Sequence, residues 1–486
     1  MDNTVEKKKI NTNVLIKSSF WYTLSTFLPR AMAFITTPIF TRVLSKEQIG
    51  DFSVYTSWQA LLLGACGLQL YATINRARFD YQNESDFNSY ISSCLSLSTL
   101  ITAFLFVLYL LFPDIFHRVL LLDRKYMMIL FLYLFAEPAF MMFQSKQRVE
   151  YRYRLSAAVA LSITFVSSGL AVALAMTSSG DRLFGRIIGQ YSPSIIVGAV
   201  FYVFFLKKSR TIRLSNYKYA LLLGLPLAFS YLGSHILLSS DNIIVKHMCL
   251  GEQVGYLSLS HTCTRIVLLL VSALTTAWSP WFYDKLNANQ HQATRRPFMA
   301  FIWLLLLGTF GVILFAPEIV AILGGKQYAE SLQIVPANIL NGVFTALVLQ
   351  FTNYEVFNKK AGYAGKITGG VAVFNIALDI IGIKLFGYQA TCYATVISQI
   401  IAILLHYHVM KGMRISEILP FKDLLAVLVV SLLMIPLGLI IYSSTVLRWS
   451  VIGVSFVAMI GIVWWKRKEI ESLVGIFIKR KRIKKD

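Results

Sequence analysis

Two arginines stand where an apolar helix has little use for charge. Arg30 falls near the middle of the apolar run 17–41, and Arg265 near the middle of 255–281. A charged side chain at the centre of a bilayer costs roughly 2.5–3.5 kcal/mol on insertion scales, so each is a functional candidate by default. Both are accompanied by hydroxyls. Ser19, Thr23, Thr26, Arg30, Thr37 and Thr41 recur at spacings that place them on one helical stripe, and so do Ser258, Thr262, Arg265, Ser272 and Thr276. Pro29 and Pro38 interrupt the backbone ladder beside the first stripe and bend it. A guanidinium is always charged and forks onto phosphate oxygens, so the chemistry indicated is recognition of an anion, phosphate above all. The plainer reading is that each arginine pairs with an acid or snorkels, with the hydroxyls packing helices.

The elements that position these residues are membrane helices. Of the 486 residues 56% are hydrophobic and 14% charged, far from the balance of a soluble domain. Fourteen apolar stretches of spanning length are expected, at roughly 17–41, 51–74, 89–112, 126–144, 155–176, 186–206, 217–245, 255–281, 298–316, 331–356, 363–384, 388–410, 422–442 and 447–465. The formal charge of +22 invites a nucleic-acid reading, but its distribution answers otherwise. With the N-terminus inside, roughly three in four of the 46 Lys and Arg residues fall on one side, which places both termini in the cytoplasm. The basic tail from Lys466 suits the anionic inner leaflet. The short connectors leave little room for an enzyme's catalytic domain.

One connector occurs twice. Ser45–Tyr55, SKEQIGDFSVY, returns as Leu250–Ser260, LGEQVGYLSLS, at an offset of 205 residues (Glu47 to Glu252). Ser45 and Gln48 are spaced as a helix capping box, and Gly50 suits close approach to a neighbour. A second match, LFPDI (111–115) against LFAPEI (314–319), makes the unit six spans. An even number means that both copies enter the membrane in the same direction, a parallel repeat. The expected architecture is all-α: a six-helix lobe over 1–210, another over 211–410, and two further helices with the basic tail over 411–486. Two like lobes around a central cavity suit a carrier that alternates its opening.

Shifting Arg30 by the repeat offset lands on His235, a further cavity candidate. Asp241, Glu137 (beside Pro138) and Asp379 (four residues after Asn375) are candidates for ion coupling or charge balance, and for Asp241 neutralisation of an arginine is the favoured reading. Arg76 and Arg78, at the inner end of the second span, are placed to receive lipid phosphates, or simply follow the positive-inside bias. His406 and His408 do not share a helix face, Gly324-Gly325-Lys326 lacks phosphate-loop spacing, and the five cysteines lack metal or disulfide spacing. No catalytic residue, metal or bound cofactor is expected; proton or sodium coupling stays open.

Three stretches carry a family resemblance. PIFTRVLSKEQIG (38–50), FAPEIVAILGGKQYAESLQIVPANIL (315–340) and AGYAGKITGGVAVFNIALDIIGIKLFGYQATCYAT (361–395) resemble signatures of Wzx-type polysaccharide and O-antigen flippases. These belong to the multidrug/oligosaccharidyl-lipid/polysaccharide exporter superfamily. The resemblance implies a MATE-like fold in the bacterial inner membrane. It implies translocation of undecaprenyl-pyrophosphate-linked oligosaccharide units, precursors of O-antigen or capsule, from the cytoplasmic to the periplasmic or outer leaflet. Arg30, Arg265, Thr26, Thr37 and His235 would then meet the pyrophosphate or line its cavity. The implied partners are the lipid-linked glycan, membrane lipids, a polysaccharide polymerase and a chain-length regulator, with no nucleic acid. A cation-coupled multidrug exporter and a lipid II flippase of the same superfamily are the rivals.

Overall fold

The structure, a computed structural model, describes residues 12–465 apart from Tyr151, Ser179 and Arg210; the tail from Lys466 and the side chains of Thr26 and Arg30 lie outside the described residues. The described elements are helices: α1 (Thr12–Val43), α2 (Lys46–Gly67), α3 (Leu70–Asp80), α4 (Glu84–Leu111), α5 (Pro113–Leu120), α6 (Arg124–Val149), α7 (Tyr153–Thr177), α8 (Arg182–Lys208), α9 (Leu214–Met248), α10 (Gly251–Asn287), α11 (His291–Leu314), α12 (Ala316–Gly324), α13 (Val335–Phe357), α14 (Ala361–Phe386), α15 (Ala390–Met410), α16 (Ile415–Ile418), α17 (Phe421–Tyr442) and α18 (Thr445–Trp465). Short 3₁₀ segments cover Lys326–Gln333 and Lys411–Met413. Eleven of the described helices are long and apolar enough to cross a membrane. The remaining expected spans fall on α1, on α2 with α3, and on α18.

The burial pattern is that of a bundle in lipid. Large apolar side chains such as Leu100, Phe104, Leu222, Phe229 and Leu433 are exposed, while Thr102, Thr309, Asn375 and Ser398 are buried. In hydrocarbon the backbone must satisfy itself and polar side chains turn inward, which reverses the rule for water. The second expected span is broken. Leu68 and Gln69 adopt left-handed backbone at φ 44° and 52°, separating α2 from α3. Neither residue prefers that region, so surrounding packing must hold it. Gly224 of α9 sits there: a Cβ on it would lie 2.8 Å from the Leu68 carbonyl oxygen.

Helices α6, α7 and α8 pack closely, with α1 against α7; α9 with α14, α10 with α13, and α13 with α15 form a second group. Between the groups, α2 runs along α9 and crosses α10. The C-terminal pair attaches through α17 on α11 and α13, the Tyr442 hydroxyl donating to the Ile313 carbonyl at 2.7 Å and Arg448 pairing with Glu318. Four of the five cysteines are buried and Cys249 is partly so; none is in a disulfide.

Candidate functional site

The two copies of the repeated connector touch each other. The capping box forms as its spacing indicates: the Gln48 amide donates to Ser45 Oγ, and the Ser45 amide to Gln48 Oε1, both at 3.1 Å. Helix α10 begins after Leu250 without a side-chain cap. The first turns of α2 and α10 then cross glycine on glycine. A Cβ on Gly50 would lie 2.7 Å from the Gly251 carbonyl oxygen, and one on Gly255 only 2.4 Å from that of Lys46. Nothing larger than hydrogen fits at this crossing.

Crossed ion pairs surround it. Lys46 Nζ lies 2.7 Å from Glu252 Oε2, and Lys246 Nζ lies 3.6 Å from Glu47 Oε1 and 2.6 Å from Asp51 Oδ1. Lys46 also donates to the Tyr256 hydroxyl at 2.8 Å; its bond to Glu252, then that to Tyr256, holds its pKa well above the ordinary lysine value. These groups are partly exposed, so each pair contributes about 0.2–1 kcal/mol and is screened by salt. Nearby, Thr41 Oγ1 donates to the Leu323 carbonyl, and Gln327 Nε2 donates to the Thr41 carbonyl at 2.9 Å. Together these contacts hold the two connectors shut against each other at one end of the bundle, a closed seam termed the gate.

Directly beneath the gate lies a cavity of about 410 Å³ bounded by α1, α2, α6, α7, α8 and α10. Hydroxyls dominate its polar wall, among them Thr37, Thr56, Thr164, Ser194, Ser258 and Thr262. Among the described residues its charged members are Arg186 and Arg265, and no carboxylate lines it. Arg265 sits inside α10 and is nevertheless accessible, because it opens on this space. Neither arginine has an acidic partner among the described residues.

Arg186 is the residue that sequence reasoning missed. The expected span began at 186, which left this arginine among the connector charges. In the structure α8 begins earlier. Asp181 Oδ1 accepts from the Phe184 amide at 2.9 Å, and Asp181 also takes bonds from Lys125 and Tyr126. Burial works against its charge, but Lys125 and the Phe184 amide hold its carboxyl below the usual carboxylate range. Gly185 and Gly189 press against α7, where Cβ atoms would meet the Leu174 oxygen at 2.5 Å and the Ala171 nitrogen at 2.6 Å. That contact fixes the rotation of α8 and lines Arg186, Gln190 and Ser194 along the cavity at successive turns. The i, i+4, i+8 polar spacing was the available signal.

The other candidates separate. Thr37 lines the cavity, as does Pro29 next to Arg30 on α1; the side chains of Arg30 and Thr26 lie outside the described residues. His235 is not in the cavity wall. Its ring packs, tilted, against Tyr231 at 4.1 Å between centroids. Arg76 is exposed and pairs with Asp80 at 3.4 Å, whereas Arg78 is held by the Tyr81 and Gln82 carbonyls and lies over the Phe87 ring. Glu137 is half-buried one turn from Tyr133 of the cavity wall, and its buried Oε2 lacks a hydrogen-bond partner.

Among the described residues Asp241 pairs with no arginine. Its Oδ2 lies 3.0 Å from Nε2 of His261, a residue the sequence reading passed over, without the alignment of a hydrogen bond. Around this pair is a small polar pocket of Asn338, Asn341, Thr395 and Gln399. Asn375 Nδ2 approaches Thr395 Oγ1 at 3.4 Å, and Asp379 follows one turn along α14, fully buried with both carboxylate oxygens lacking hydrogen-bond partners. Oxygens of Asn341, Asn375 and Gln399 are unpartnered as well.

Comparison with known proteins places this architecture. Among solved structures, the chain is similar to the lipid II flippase MurJ in an inward closed conformation, with a TM-score of 0.73 and 16% identity over 92% of this chain and 99% of that one. It is also similar to an inward-facing multidrug-resistance MATE family transporter of the MOP superfamily (TM-score 0.58, 14% identity, 81% of this chain and 98% of that one). A MOP superfamily transporter from Pyrococcus furiosus matches at a TM-score of 0.52 and 12% identity, over 83% of this chain and 96% of that one. At such identities the likeness is one of fold. No curated protein matches the sequence. Residues 15–285, more than half of the chain, match the family model described as polysaccharide biosynthesis protein. With the fold of the MOP superfamily transporters around an arginine-bearing cavity, the chain belongs to the polysaccharide biosynthesis protein family.

Proposed function

We propose that this protein is a flippase for undecaprenyl-pyrophosphate-linked oligosaccharide units, carrying O-antigen or capsule precursors from the cytoplasmic to the periplasmic or outer leaflet of the inner membrane. The observation that carries the reading is a cavity whose described lining holds two arginines and no carboxylate. A cation exporter needs the opposite sign, because its cargo is stabilised by acidic groups. The lobes 1–210 and 211–410 move relative to each other in this reading, with the gate of α2 and α10 on the outer side and both termini in the cytoplasm. No covalent chemistry is required of the chain. A polymerase and a chain-length regulator would take up the delivered unit.

Energy enters, in this proposal, at the polar cluster behind the cavity. A buried carboxylate such as Asp379, with neither oxygen hydrogen-bonded, is suited to holding a proton or a sodium ion. Proton or sodium exchange at Asp379 and Asp241 follows naturally from that alternative. Glu137 is the corresponding candidate in the first lobe.

Lipid II flipping is a second reading, favoured by the fold likeness to MurJ. Its substrate shares the diphosphate, so the arginines serve both; the sugar separates them. Deleting the gene and following surface glycan and viability tests the choice. Loss of surface polymer from viable cells supports the proposal, and restoration by the wild type but not by well-expressed Arg265→Ala ties it to the cavity. Lethal arrest of wall synthesis supports the second reading, and drug sensitivity without a glycan defect overturns both.

A further inference from the structure

Arg186 is caged by rings. Its guanidinium carbon lies 4.0 Å from the centroid of Phe40 on α1 and 3.5 Å from that of Phe52 on α2, both close enough for cation–π attraction. The aromatic faces satisfy the charge in part but accept no conventional hydrogen bond, and Nε and Nη1 are buried without a partner. A desolvated guanidinium with unused donors is costly unless something arrives to use them. Arg265 lines the same cavity, and among the described residues no acid lines it. Two like charges held around one enclosed space are stabilised by an anion shared between them.

The cage also touches the gate. Phe52 lies two residues beyond Gly50, where an added Cβ would lie 2.7 Å from the Gly251 carbonyl oxygen at the crossing of α2 and α10. Phe40 precedes Thr41, which is bonded to the Leu323 carbonyl. Any separation of α2 from α10 therefore shifts the ring that covers Arg186.

We propose that Arg186, with Arg265, forms a built site for a diphosphate, and that movement of Phe52 with the gate uncovers the Arg186 donors to it. The proposal rests on the flippase reading above and names a residue and a control for it. The ligand chemistry is a diphosphate ester on a lipid or the free anion. Anion binding and gate position are then thermodynamically linked, since a ligand preferring the uncovered state shifts the gate toward it.

The test is binding to the purified full-length protein, wild type and variants, with undecaprenyl pyrophosphate, undecaprenol and inorganic pyrophosphate as probes. The expected result is a preference for undecaprenyl pyrophosphate over undecaprenol that falls at least tenfold in Arg186→Gln. Arg186→Lys, which keeps the charge and loses the planar fork, is expected to fall between the two. Undecaprenol binding should stay constant across the variants, which also reports that they are folded. Competition by inorganic pyrophosphate assigns the site to the bare anion; absence of competition, with the Arg186→Gln loss intact, assigns it to the lipid ester. Undiminished preference in Arg186→Gln alongside its loss in Arg265→Gln overturns this proposal and leaves the flippase reading standing. No preference in the wild type overturns both.

Discussion

The gate makes a quantitative prediction at Gly255. Replacing it by Ala puts a methyl group 2.4 Å from the Lys46 carbonyl oxygen, a contact no rotamer relieves because both partners are backbone. Overpacking of this kind costs about 1–3 kcal/mol. The cost falls on the closed gate alone, since the methyl meets nothing once α2 and α10 part. At 1.4 kcal/mol per tenfold, the closed-to-open ratio should drop by roughly 5- to 150-fold. Gly50→Ala, with a Cβ 2.7 Å from the Gly251 carbonyl oxygen, should act in the same direction. The assay is a spin-label distance measurement between labels at exposed Asp123 and Lys326, in a chain carrying Cys249→Ser. The wild type should give one short distance, and Gly255→Ala a second, longer population. An unchanged distribution with only a lower melting temperature would refute the reasoning, because the strain would then be shared by both states.

Other expectations follow from the same contacts. Lys46→Glu should weaken the closed gate, and adding Glu252→Lys should restore it; the singles should differ from the swap by about 0.2–1 kcal/mol in the gate equilibrium, less in high salt. Ser45→Ala removes the α2 cap and should cost about 1 kcal/mol of stability, read as a lower melting temperature, whereas Leu250→Ala should cost little because α10 has no side-chain cap to lose. Asp379→Asn should leave binding of the lipid diphosphate intact while abolishing any dependence of transport on a proton or sodium gradient, measured in proteoliposomes with the gradient imposed or collapsed.

How much of this was legible depends on distance along the chain. The Glu-Gln-x-Gly repeat is short, regular and surrounded by apolar runs, so the eye finds it, and the expectation of two lobes rests on it. That the copies press glycine to glycine was half legible: Gly50 was read as a close-approach residue, but its neighbour Gly251 lies two hundred residues away. Arg265 announced itself because nothing around it excuses a charge. Arg186 did not, because Asp181, Arg182 and Arg186 together read as one polar connector, and the Asp181 cap that draws Arg186 into the helix is a matter of geometry. Its aromatic cage is non-local on both sides. The break at Leu68 and Gln69 had only Gly67 as a signal, since it is set by packing against α9. Charge alone points Asp241 toward an arginine; the partner beside it among the described residues is His261, one turn before Arg265 on α10.

The central claim is that the cavity moves a lipid diphosphate carrying a glycan across the bilayer. Purified protein in liposomes, loaded with undecaprenyl-pyrophosphate oligosaccharide and probed for glycan reaching the opposite leaflet, tests it most directly. The account predicts protein-dependent transfer that is lost in Arg265→Gln and retained for no neutral polyprenol glycoside. Transfer of a cationic drug instead, or lipid-diphosphate transfer at the wild-type rate by Arg265→Gln, would contradict it.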